Sequence, residues 1–166
     1  FIEFAAAARL MTGAFASDPA MMLADPTTGD LVDIVDEDRH WYYGVSQGGI
    51  LGGTFASLSP QIDRSVLGVS GASLTFMMFR SRNFSAFLML LQTLAGGPFE
   101  AQKWVALLPT TFDRVDPSTY EPHALTDLFP GSPPVRRILM QNAVGDSDVP
   151  NLSSHLAART LGVKLL

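Results

Sequence analysis

Cysteine is absent from this chain of 166 residues. That excludes a disulfide, a thiolate nucleophile and a cysteine metal site, and it leaves the compartment open. Positive charge is scarce: 11 Lys and Arg stand against 16 Asp and Glu, for a net charge of -5. There is no basic face to neutralise phosphates, so nucleic acid is not an expected partner. No apolar run reaches the ~20 residues that cross a bilayer. The most apolar part, residues 74–79 and 84–94, is broken by Arg80, Arg82 and Gln92. No metal-ligand cluster, cofactor motif or signal peptide is visible, and the chain begins at Phe1 without a methionine. The expectation is that both ends are cut from a longer protein. What is present is 47% hydrophobic residues, enough for the core of one domain and no more than one.

The stretch Tyr43-Gly44-Val45-Ser46-Gln47-Gly48-Gly49 is where chemistry is expected. Gly44, Ser46 and Gly48 form G-x-S-x-G, a pattern that holds a serine on a tight strand-to-helix turn with its hydroxyl outward. Its context fits. The aromatic run His40-Trp41-Tyr42-Tyr43 reads as a strand after the polar turn at residues 36–39. Gly48, Gly49, Gly52 and Gly53 then fall within a helix, where each costs roughly 1 kcal/mol against alanine. Close packing of helix backbone on the sheet is the expected reason, and small residues two before and two after Ser46 are expected as a steric need. A phosphate cradle also puts glycines between strand and helix. A dinucleotide fingerprint, however, needs glycine where Ser46 stands and an acidic residue after the next strand, and no Walker-type lysine follows.

Elsewhere, Phe1, Phe4, Ala8, Met11 and Phe15 recur at helical spacing. Asp18-Pro19 reads as an N-cap opening a short helix through Met21, Met22 and Leu23. A turn follows at residues 26–30, and residues 31–35 are either a short strand or an extended loop. Residues 65–69 suit a buried parallel strand, so strand, helix and strand alternate as in an α/β sheet. Ser70 is expected as a strand-end residue. The Met and Phe side chains of 74–94 either line an acyl or aromatic pocket over the serine or simply pack the core. Residues 99–108 read as a helix. From there to residue 134 proline excludes long regular structure. Residues 135–142 read as a strand, 152–161 as a helix stopped by Gly162, and 163–166 as the start of another strand.

Residues 35–49, VDEDRHWYYGVSQGG, resemble the segment of bacterial α/β-hydrolases in which an Asp-Arg turn leads into the fifth strand and then into G-x-S-x-G-G. Residues 145–151, GDSDVPN, resemble the loop after the seventh strand of that superfamily, which carries the triad acid in a D-x-x-V-P pattern. Asp146 fits the spacing and Asp148 is its rival; an Asx turn capping the following helix is the plain alternative. The resemblance covers nearly the whole chain but only the C-terminal part of a hydrolase domain. It implies a partial α/β-hydrolase fold: a mostly parallel sheet, flanking helices and a helical cap insertion. Within 1–166 the elbow strand and helix fall at 40–58, the cap-like insertion at about 73–134 and the acid-loop strand and helix at 135–162.

The resemblance also implies an activity. An ester or amide of a small molecule would be cleaved through an acyl-enzyme on Ser46, with Asp146 as acid, the backbone N–H of Gln47 as one oxyanion donor and no cofactor. His40, His123 and His155 do not fit the base, which is expected beyond Leu166, and the second oxyanion donor is expected before Phe1. The 166 residues alone are therefore expected to turn over little substrate. Two other readings stay open: a non-catalytic hydrolase-like binding domain, and a fragment completed by a second chain that pairs with the sheet.

Overall fold

The computed structural model describes residues 1–164. The helical stripe at the amino end gives α1 (Ile2–Met11), with Phe15 in the turn beyond it. No residue of α1 is buried. It touches the rest of the domain through Phe4, whose ring meets Phe55 edge-on at 5.5 Å and Tyr42 at 6.1 Å. Asp18 caps as expected, its carboxylate accepting from Ala20 N at 2.8 Å, but the helix it opens is one 3-10 turn, Pro19–Met21. The expected helix through Leu23 is not formed. Met22–Ala24 is instead β1, antiparallel to β2 (Leu31–Asp33), which resolves the ambiguity there as a strand. The turn between them explains the outcome. Asp25 accepts from the N–H groups of Thr27 and Thr28, Gly29 turns at φ 78, and the closed loop brings Met22 opposite Asp33. Pairing across the hairpin outweighs a weak local helix preference.

Three further strands make the main sheet: β3 (Tyr42–Val45), β4 (Arg64–Gly68) and β5 (Arg137–Gln141), parallel and in that order. Each lies within about two residues of the run that suggests it. The strand expected at 163–166 is not seen at Val163 and Lys164, and its last two residues lie outside those described. The fold is mixed α/β, with a three-stranded parallel sheet and flanking helices. α2 (Gln47–Leu58) crosses from β3 to β4, as a parallel pair requires.

Alternation gives the sheet two unlike faces. Tyr42, Leu67, Ile138 and Met140 point to the covered side, where they pack with Ala124 and Leu161. Tyr43 and Val45 point the other way and are 67% and 47% exposed; Leu139 on β5 is also exposed.

The segment between β4 and β5 is helical: α3 (Leu74–Met78), α4 (Ser85–Ala95), α5 (Pro98–Leu107), α6 (Pro109–Phe112), α7 (Pro117–Tyr120) and α8 (Pro122–Leu125). Proline opens each of the last four, where a missing N–H costs nothing, and α6 to α8 are single turns. The buried Asp116 fastens this segment. One of its carboxylate oxygens accepts from Ser73 N and Ser118 N, the other from Leu74 N at 2.6 Å, so a single side chain caps both α3 and α7. Buried Arg136 ties the return to β5, donating to the carbonyls of Ser59 and Ala124 and to Ser132 Oγ. α9 (Asn151–Leu161) closes the covered face and ends at Gly162, φ 72. Among the described residues no helix is long and apolar enough to cross a membrane.

Candidate active site

Ser46 sits between β3 and α2 with φ 55 and ψ -119, a conformation that L-residues rarely adopt. Its backbone is held on both sides. The N–H donates to Gly68 O and the carbonyl accepts from Ile50 N, each at 2.9 Å. Its side chain is exposed and makes no hydrogen bond among the described residues. The hydroxyl is therefore free at the carboxyl edge of a parallel sheet.

The glycines show what the turn requires. A Cβ on Gly44 would lie 2.3 Å from Gly48 O, and one on Gly49 2.3 Å from Gly68 O, so neither position admits a side chain. At Gly52 a Cβ would meet the Tyr42 ring at 2.5 Å and Leu67 at 3.0 Å. Packing on the sheet accounts for Gly49 and Gly52. Gly53 has a different reason, since its Cβ would strike Glu121 Oε1 at 2.6 Å. Gly48 departs from expectation: the nearest atom to a Cβ there is the Tyr42 hydroxyl at 3.8 Å, ordinary contact. It is the carbonyl of Gly48 that crowds Gly44, and that carbonyl also accepts from Tyr42 Oη at 2.6 Å. Burial pushes the Tyr42 phenol up, keeping it protonated as a donor.

Gln47 is the first residue of α2, and its N–H has no acceptor among the described residues. The first N–H groups of a helix lack internal partners and carry the positive end of its dipole. An oxyanion forming beside Ser46 would meet that end.

The Asp146 loop leaves β5 on the same edge, because all three strands run parallel and Val45, Gly68 and Gln141 are level. One strand separates β3 from β5, which puts their axes about 10 Å apart. Asp146 is half-buried, and its Oδ1 accepts from Asp148 N at 2.8 Å and Val149 N at 3.0 Å: an Asx turn. Its Oδ2 has no partner among the described residues. Asp148 is exposed and its side chain makes no hydrogen bond there. Asn151 steadies the loop, accepting from Gly145 N and donating to Ala143 O. Val149, three residues after Asp146, is buried in one apolar cluster with Ile50, four residues after Ser46, and with Met77. The two loops thus share a core. Ser70 is structural, as expected: it is fully buried and donates to Gly49 O at 2.9 Å.

Among the described residues none of the three histidines hydrogen-bonds to Ser46. His40 precedes β3 at its amino end, six residues or about 20 Å of extended chain from the serine, and both its ring nitrogens are buried without partners among the described residues. His123 lies with Nδ1 2.8 Å from Asp127 O and its ring 4.7 Å from that of Phe129. His155 is exposed on α9.

Behind the elbow helix lies a group that sequence reading missed. Glu121 is 0% exposed between α2 and α9, and its Oε1, set against Gly53, has no hydrogen-bond partner among the described residues. Burial raises its carboxyl to about 8, opposed by Thr160 and reinforced by the Asp116 charge. Thr160 Oγ1 contacts Glu121 Oε2 and lies 3.0 Å from the carbonyls of Leu156 and Ala157. A hydroxyl has one proton, so a neutral Glu121 can donate to Thr160 while Thr160 donates onward. Nothing in a proline-rich segment signals such burial.

Among the described residues no group of three or more His, Asp and Glu could hold a metal ion. No family model matches the chain, and neither the curated proteins nor the solved structures contain a match to it.

Proposed function

We propose that the chain is the nucleophile-bearing part of an α/β-hydrolase-like serine hydrolase, cleaving an ester or amide through an acyl-enzyme on Ser46. The observation that carries this reading is the backbone of Ser46, held at φ 55 with its side chain exposed. Strain of this kind persists where function needs it. An ordinary turn serine would gain by relaxing or by being glycine. In this reading Gln47 N–H stabilises the tetrahedral oxyanion, and Asp146 orients the histidine through its unpartnered Oδ2. Asp146 is preferred to Asp148 because its Oδ1 is fixed by two backbone donors. The base and the second oxyanion donor are proposed to come from outside residues 1–166.

The test is labelling of the full-length protein with a fluorophosphonate probe. Labelling should vanish in Ser46→Ala, and Asp146→Ala should lower ester hydrolysis by about three orders of magnitude while Asp148→Ala does not. Full labelling of the serine variant would end the proposal.

One observation favours a second reading, a sheet completed by another chain. Among the described residues β3 is an edge strand, paired only with β4, and Tyr43 and Val45 leave one sheet face bare where parallel sheets are normally covered on both. Mass in solution decides: a strict monomer at micromolar concentration would dismiss this reading, and an oligomer broken by Tyr43→Lys would support it.

A further inference from the structure

We infer that the cavity between α3, α5 and α6 is a binding site for an organic carboxylate with an apolar body. The cavity holds about 650 Å³, within the range of small-molecule sites. Phe76, Phe79 and Val105 supply apolar walls, and the polar lining includes Thr75, Gln102 and Arg80. Among the described residues Arg80 is the one charged residue on that lining.

Three features fix the ligand class. First, the Arg80 guanidinium lies 3.6 Å from the centre of the Phe76 ring, a contact that holds it at the cavity wall. Second, its donors are almost unspent. Its hydrogen bond within the described residues is a 3.5 Å contact from Nη1 to Phe76 O, and none of the ion pairs there includes it. A planar guanidinium with free edges matches a carboxylate in a two-pronged geometry. Third, Thr75 is buried, yet its hydroxyl has no partner among the described residues and lines the cavity. Its O–H and the Gln102 amide can complete the shell of a monoanion. A dianionic phosphate would call for a second cation, which the lining lacks.

The apolar sequence of this segment suggests an uncharged acyl or aromatic guest. The folded segment adds a cation to the apolar wall, and with it a preference for an acid group. The cavity opens beside Ser73, at the exit of β4, the strand paired with the elbow strand. That the ligand is one half of the substrate of Ser46 rests on the hydrolase reading; the binding site itself does not.

The experiment titrates 4-phenylbutyrate, 4-phenylbutyramide and phenyl phosphate into the full-length protein, following amide resonances of residues 75–80 and the Gln102 side chain by NMR. The acid should give saturable shifts there and bind about tenfold or more tightly than the amide, the worth of a charged hydrogen bond. Arg80→Gln should erase that difference, and Ala106→Trp, which fills the cavity from an exposed position, should weaken both ligands. Equal binding of acid and amide, a preference for the phosphate, an unchanged Arg80→Gln variant or no saturation would each overturn the inference. Carboxylate binding without fluorophosphonate labelling leaves the site standing and removes the hydrolase; labelling without binding does the reverse.

Discussion

Ser46 and Val69 follow register partners on adjacent strands, Val45 and Gly68, and both have positive φ, 55° and 48°. Two non-glycine residues in this region side by side is uncommon, and for a β-branched valine it is an outlier. Hydrogen bonds across three strands hold the pair: Ser46 N donates to Gly68 O, and Val69 N donates to Gln141 O at 2.6 Å. The Val69 side chain packs on the cluster of Ile50, Met77 and Val149. Strain at the elbow is thus balanced by the ladder and by the core that joins the Ser46 and Asp146 loops.

Ser46→Gly should be more stable than Ser46→Ala by about 1 kcal/mol. Both lose the hydroxyl, but only glycine adopts this backbone freely, a gain that outweighs its larger unfolded-state entropy. Urea midpoints of the two variants measure the difference. Equal midpoints would mean that the turn carries no strain.

Gly48→Ala should fold at least as well as the parent, gaining up to about 1 kcal/mol from helix propensity, because nothing approaches its Cβ closer than 3.8 Å. Gly44→Ala and Gly49→Ala meet backbone oxygen at 2.3 Å and should each cost about 3 kcal/mol or more. Thermal melts of the three proteins check the ordering. A tolerated Gly44→Ala would contradict the strand-to-helix approach described for this turn.

Glu121 gives the protein a pH dependence of definite sign. The unfolded carboxyl ionises near 4.5 while the folded one keeps its proton to about 8, so between these values the native state binds more protons. Stability should then be highest below pH 4.5 as far as this group is concerned, fall by up to about 1.4 kcal/mol per pH unit up to about 8, and level off above. Glu121→Gln, which keeps the shape and remains neutral, should flatten that part of the profile and raise stability at pH 8. Denaturation series from pH 5 to 8 on both proteins test it. Parallel profiles would show that Glu121 is ionised in the folded state.

Much of the sheet can be read from the sequence because its strands are short apolar or aromatic runs bounded by turn residues. The elbow is legible for a similar reason, since close approach of strand and helix leaves a mark in glycine. Met21 to Leu23 misleads because three residues carry little propensity of their own, and pairing with Leu31–Asp33 decides them. Gly48 misleads in the other direction: its spacing fits the pattern, while the contact belongs to its carbonyl. Asp116, Glu121 and Arg80 owe their roles to partners roughly 40 residues away, or to a cavity wall built from three helices, and composition carries no trace of that.

The carboxylate of Asp116 brings Ser73 and Ser118 to one point, so the chain leaves the sheet region and returns to it through a single clasp. Ring closure is settled at that clasp, and the entropy of a longer or shorter loop beyond it changes only slowly with length. The stretch from α4 to α6 is therefore open to replacement as a cassette: a different helical hairpin could be grafted there to reshape the recess while the elbow and its neighbouring strands keep their geometry.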